Sequence, residues 1–229
     1  MMQTLLYALG ASLPLVVGAA VGARWRPPRP VVATALAFAV GALLAAVSFD
    51  LFPEAFEAND TWKVGIALAA GALVFVIADS ALDRHTARSG SVVGLALLAG
   101  VTLDGIPENT ALGVSLNESA SVALLVAVFV SNFPEALAGA VAMRDNGRSP
   151  RAILALWAVA TLLLAAAVFL GRYLFGGASA GTLSYPLAFA AGAVIASVID
   201  TAAPEAFKEG GPYVALASTA GFLMGYLLS

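Results

Sequence analysis

Two short motifs carry the residues with chemical potential: Asp104-Gly-Ile-Pro107-Glu108 and Ser131-Asn132-Phe-Pro134-Glu135. In each, an oxygen-bearing side chain precedes a glutamate by four residues, so on a helix the two stack on one face. Each also holds a proline, which cannot bond to the carbonyl four residues back. The oxygens of Leu103 and Val130 are thereby expected to be freed toward the same space. Carboxylate, amide, hydroxyl and carbonyl oxygens together suit a divalent cation. The candidate metal-contacting residues are Asp104, Glu108, Ser131, Asn132 and Glu135. With no cysteine and a single histidine, His85, a thiolate site is excluded. The plainer alternative is a proline kink with a neutral glutamate bonded to a backbone carbonyl, and two related copies weigh against it.

The elements that must position these motifs are membrane helices. Of the 229 residues 61% are hydrophobic and only 11% charged, against about 25% charged in soluble domains. The apolar runs reach the roughly 20 residues a span needs. Eight spans can be drawn: Thr4–Ala23, Val31–Phe52, Val64–Leu82, Val92–Leu116, Ala120–Met143, Ile153–Phe175, Leu183–Ile199 and Tyr213–Leu228. The connections are short, so one transmembrane domain over residues 1–229 is expected, in contact with the lipid bilayer. The first run has no preceding positive charge and is followed by Arg24, Arg26 and Arg29, unlike a cleaved signal. It reads as a retained helix entering from outside.

Charge tests that orientation. With both termini outside, the inner connections hold Arg24, Arg26, Arg29, Arg84, Arg88, Arg144, Arg148, Arg151 and Lys208, and the outer ones only Lys63 and Arg172. The asymmetry runs in the direction of the positive-inside rule and predicts a multi-pass protein of the plasma or inner membrane. A net charge of −3 and the lack of a basic run give no sign of nucleic acid.

Within this frame Asp104, Glu108 and Glu135 fall in mid-span. An ionised carboxylate at the bilayer centre costs roughly 2.5–3.5 kcal/mol on insertion scales, so three unpaired ones cost on the order of 8–10 kcal/mol. No Lys or Arg lies in the middle of a span to offset this. Protons or an external cation must neutralise them.

An internal repeat organises the rest. Phe38–Glu57 recurs at Phe189–Lys208 without a gap, at an offset of 151, with ten of twenty positions identical. Five crossings separate the second span from the seventh, so the copies run in opposite directions, as in inverted-repeat transporters. Small-residue packing faces explain the Gly/Ala matches but not the repeated Pro-Glu-Ala-Phe. The expected fold is an all-α membrane bundle in a 3+2+3 arrangement. Spans one to three and six to eight are related by a pseudo-two-fold axis, with spans four and five central. Asp50 and Glu54 at the outer end of the second span, and Asp200 and Glu205 at the inner end of the seventh, are candidate entrance and exit acids, or ordinary interfacial acids. Gly18…Gly22 and Gly221…Gly225 have close-approach spacing, used either internally or in a homodimer.

At its motifs the sequence resembles the ZIP family of divalent metal transporters. That family carries patterns like His-Asn-x-Pro-Glu-Gly in the fourth and fifth spans, matched here by Asp104-Gly105-Ile106-Pro107-Glu108-Asn109 and Ser131-Asn132-Phe133-Pro134-Glu135-Ala136. Asp50-Leu-Phe-Pro53-Glu54-Ala55 is similar to the family's His-Leu-Leu-Pro-Glu-Ala, and Gly192 and Asp200…Pro204-Glu205-Ala206 fit the seventh span. The departures are specific. Both signature histidines are replaced, by Asp104 and Ser131, and the Asn of the fourth span is Gly105. A sixth-span glutamate is missing, with Thr161 nearest, and the His-rich loop shrinks to Asp83–Ser91. The resemblance implies a two-metal midplane site. Asp104, Glu108, Ser131 and Glu135 map to one metal position, and Asn132 is the main survivor of the other. It also implies a homodimer, and transport of a divalent metal, zinc by family default, toward the cytoplasm. Oxygen-only ligands shift the balance toward Mn²⁺ or Mg²⁺.

Three other readings remain: a proton-linked carrier using Glu108 and Glu135, a metal-binding relative without transport, and an intramembrane hydrolase. The chain shows no Ser–His pairing, HExxH or Gly-x-Gly-Asp pattern, so a non-enzymatic role is expected.

Overall fold

Apolar runs of this length leave the backbone one way to satisfy its polar groups in hydrocarbon, which is to coil into helices. In the computed structural model, which describes residues 1–89 and 93–229, they do so throughout, and no strand occurs among the described residues. Eight helical segments follow one another: α1 Met2–Gly22, α2 Arg29–Glu57, α3 Thr61–Ser89, α4 Val93–Ser115, α5 Val122–Asp145, α6 Pro150–Leu174, α7 Ala180–Gly210 and α8 Val214–Leu228. Six of them (α1, α2, α3, α5, α6 and α7) are long and apolar enough to cross a membrane, and α8 is shorter. The protein is an integral membrane helical protein. Serine side chains start three of the helices: Ser121, Ser149 and Ser179 each accept a hydrogen bond from the backbone N–H three residues on.

A helix falls at each of the eight expected spans; α2, α3 and α7 run further than expected, and α4 and α8 are slightly shorter. α3 runs to Ser89, so the stretch expected as the loop Asp83–Ser91 is helical through Ser89; residues 90–92 lie outside the described residues. His85 sits exposed on this last part of α3. α2 and α7 extend past their Pro-Glu motifs, which the span boundaries had left at or beyond the helix ends.

The two repeat copies adopt the same irregularity. α2 is α-helical over Arg29–Ala46, π-helical over Val47–Leu51, then α-helical again over Phe52–Glu57. α7 follows suit over Ala180–Ser197, Val198–Ala202 and Ala203–Gly210. The offset of 151 thus carries one π segment onto the other. Proline supplies the reason: Pro53 and Pro204 would clash with the carbonyls of Phe49 and Asp200 four residues back, and both lie inside the widened turns.

Packing is paired in the same way. α2 lies along α8, and α7 along α3; α1 packs on α5, and α6 on α4; α1 meets α6 directly. These are the pairs that exchanging α1–α3 with α6–α8, and α4 with α5, would generate. Glycine permits the closest approaches. A Cβ on Gly41 would overlap the Ser218 carbonyl and one on Gly192 the Leu68 carbonyl, while Gly221 and Gly71 sit against the carbonyls of Phe38 and Phe189. Gly18 and Gly22 abut α5, and Gly225 abuts Ala42 and Ala45 of α2. Both Gly-x-x-x-Gly pairs are therefore used within the chain, which removes the observation that had suggested a homodimer.

Gly41→Val and Gly192→Val should each destabilise the purified protein by about 1–3 kcal/mol, the usual cost of overpacking. Gly65→Ala, where no atom lies within 4 Å of the added carbon, should be nearly silent. Thermal unfolding in detergent checks this ranking.

Candidate functional site

α4 and α5 remain α-helical through Pro107 and Pro134 and form an antiparallel pair at the middle of the packing. Their motif residues turn inward. Asn109 and Asn132 are fully buried, Ser131 is 1%, Glu108 3% and Asp104 9% exposed; Glu135 is half-buried. Ser131 interacts with the Glu108 carboxyl across the two helices, while its hydroxyl donates to the Val128 carbonyl at 3.1 Å. Asp104, Glu108 and Glu135 are close enough to act on one another electrostatically. No Lys or Arg pairs with them among the described residues, where the ion pairs lie near helix ends.

The structure divides this group. Asp104 and Glu135 line a cavity of about 140 Å³ together with Thr201 and Glu205 of α7, well beyond the space one water needs. Glu108, Ser131 and Asn132 lie deeper and off its wall. Among the described residues, no three His, Cys, Asp or Glu groups converge tightly enough to hold a metal alone. A cation here needs neutral oxygens in its shell, and those are at hand. The Thr201 hydroxyl donates to the Ser197 carbonyl at 2.6 Å and lies 3.3 Å from Asp104 Oδ2. Buried without any hydrogen-bond partner are Asp104 Oδ1, Asn109 Oδ1 and Asn132 Oδ1. Orphaned buried acceptors are costly, and three of them fall in this one motif pair.

The four expected mouth acids part company. The central cavity adjoins a second one of about 290 Å³; the two share Leu36, Ala138, Ala142 and Glu205 in their walls. That outer chamber is rimmed by Arg26 and Asp145, which form an ion pair, and by Arg29 and Glu209, 3.6 Å apart. Glu205 thus lies in the wall common to the central cavity and the chamber at the Arg-rich face. Asp200 does not line it; its neighbour is Asp79 of α3. At the opposite face Asp50 and Glu54 accept hydrogen bonds from Ser121 and Ser119 of the α4–α5 connection. Arg172 holds the same connection through the Leu116 carbonyl and, at 2.8 Å, Asn117 Oδ1. Hydrogen bonds tie the helices together at one end, and adjoining cavities lie at the other.

Sequence reasoning did not single out Ser119, Ser121, Asn109, Ser197 or Thr201. The repeat held a signal for one of them: its register sets Asp50 against Thr201, not against Asp200. The serines gave none, because a cap residue reveals a second partner only once the helices are packed.

No protein-family model matches the chain. Over 193 residues, 79% of its length, it is 33% identical to a "putative zinc transporter" of Arabidopsis thaliana. This bears out the resemblance to the ZIP family. The ZIP-like chain spans about a third (31%) of that relative's length.

Because the chain has no cysteine, single-cysteine variants report accessibility cleanly. Ala142→Cys, on the walls of both cavities, should react quickly with a water-soluble maleimide in the reconstituted protein. Ser121→Cys, 7% exposed at the latched end, should react slowly. Equal rates would mean that the latched end is open.

Proposed function

We propose that this protein moves a divalent metal cation across the membrane through a midplane site built on Asp104, Glu108, Ser131, Asn132 and Glu135. The observation that carries the reading is the cavity lined by Asp104, Glu135 and Glu205, which continues to one face and is latched at the other. Kinship with a protein named as a zinc transporter supports a metal substrate, and zinc is the leading candidate. Transport toward the cytoplasm is the direction the family resemblance implies, and the face carrying Arg26 and Arg29 is the side the positive-inside rule assigns to the cytoplasm. In that orientation both termini lie outside, and a plasma or inner membrane is the setting.

The chemistry of such a site is neutralisation. A divalent cation offsets the burial of two or three carboxylates, and no covalent step is required. Cation ligands must be deprotonated, so binding releases protons where any were held. Replacing imidazole by Asp104 and Ser131 makes the shell harder and raises Mn²⁺ and Mg²⁺ relative to zinc. Glu205 concentrates cations on the path, and Asp50 and Glu54 guard the other approach once Ser119 and Ser121 let go.

Titration calorimetry on purified variants tests the site. Glu108→Gln and Glu135→Gln should each abolish metal binding, and Ser131→Ala should only weaken it. Asp104→His should shift preference toward zinc, because imidazole is the softer ligand. Undiminished affinity in both Gln variants would sink the assignment, and metal uptake into proteoliposomes separates transport from binding alone.

A further inference from the structure

Glu108 and Ser131 face one another across α4 and α5. The next residue on each helix is an asparagine, Asn109 and Asn132. One step along an α-helix turns a side chain by about 100°. Because the two helices are antiparallel, that turn carries both asparagines to the same side of the pair. The neighbours agree: Asn132 Nδ2 donates to the Ala11 carbonyl of α1 at 2.7 Å, and the Gly105–Asn109–Gly113 row faces α6, where Gly105 meets Leu164 and Gly113 the Val168 carbonyl. α1 and α6 pack on each other, opposite Thr201 of α7.

Each amide is oriented by its own donor. Asn109 Nδ2 reaches back one turn to the Gly105 carbonyl at 2.8 Å, as Asn132 Nδ2 reaches Ala11. With the NH₂ groups committed, the two Oδ1 atoms are left fully buried and without a partner. An amide placed at position 105 itself would meet Leu164, since even a Cβ there would lie 2.5 Å from its Cδ1. The carbonyl-type oxygen is supplied from one turn further on.

We infer that Asn109, together with Asn132, offers neutral amide oxygens to a divalent cation held by the Glu108 carboxylate on the α1/α6 side of the central pair. Asn109 is thus a ligand and a selectivity residue that the Pro-Glu motif does not mark. The inference rests on the metal-transport reading above. Paired amide oxygens favour hard, oxygen-seeking cations such as Mn²⁺ over zinc.

The test is calorimetric titration of the full-length protein in detergent with Mn²⁺ alone and Zn²⁺ alone, for the parent, Glu108→Gln, Asn109→Ala, Asn109→Asp and Asn109→His. Metal-free thermal unfolding checks each fold. Asn109→Ala should lose at least about tenfold in Mn²⁺ affinity, the scale seen when a residue supporting a metal is removed, with a smaller loss for zinc. Asn109→Asp, which keeps the oxygen and nearly the shape, should bind Mn²⁺ at least as tightly as the parent, and Asn109→His should move the Mn²⁺/Zn²⁺ ratio toward zinc. If Asn109→Ala binds both metals like the parent while Glu108→Gln does not, Asn109 is no ligand and the midplane site stands. A folded Asn109→Asp that loses Mn²⁺, or an unmoved ratio in Asn109→His, overturns the inference equally, even where the Ala variant fails to fold. Binding unchanged in Glu108→Gln as well removes the site itself.

Discussion

Everything in this bundle answers to one electrostatic constraint: acidic side chains sit at the middle of an apolar structure, and among the described residues no protein cation is paired to them. Hydrocarbon cannot solvate them, and leaving them charged would cost on the order of several kcal/mol each. The chain meets this by enclosing α4 and α5 within six other helices and by keeping hydroxyl, amide and water-accessible space beside the carboxyls. The remaining deficit is an attraction for cations. A surplus of buried acceptors over donors makes the site useful only when something positive arrives.

The inverted repeat gives this core two equivalent approaches, yet they differ. At one face the hydroxyls of Ser119 and Ser121 engage Glu54 and Asp50. At the other, Glu205, the repeat counterpart of Glu54, stands in an open cavity wall. The π segments at Val47–Leu51 and Val198–Ala202 fall at equivalent places in the two halves, each beside a proline that lacks a backbone donor. Close Gly–carbonyl contacts between α2 and α8, and between α7 and α3, let each pair move as a unit.

Helix number, the repeat, the burial of Asp104 and Glu108 and the kinship of the chain were legible from residue order, because hydrophobic length and identical residues at a fixed offset are one-dimensional properties. Four identical Pro-Glu dipeptides nonetheless behave in two ways. Pro53 and Pro204 open π turns, whereas Pro107 and Pro134 sit in continuous α-helix. Which response a proline provokes depends on the room its neighbours leave, and residue order does not encode that directly. The same holds for the glycine pairs, which suited a dimer as well as a bundle until their carbonyl partners were fixed within the chain.

By itself, then, the sequence determined that this is a membrane bundle with acids at its centre and a twofold internal plan, since burial length, charge and repetition are written in composition and spacing. Only the tertiary structure decided where the cavities lie, that Glu205 and not Asp200 lines them, and that the Oδ1 atoms of Asn109 and Asn132 are buried without a partner. Those outcomes depend on the rotation of each helix about its own axis. That rotation is fixed by contacts between residues far apart in the chain, such as Asn132 with Ala11, 121 positions away, or Thr201 with Asp104, 97 positions away.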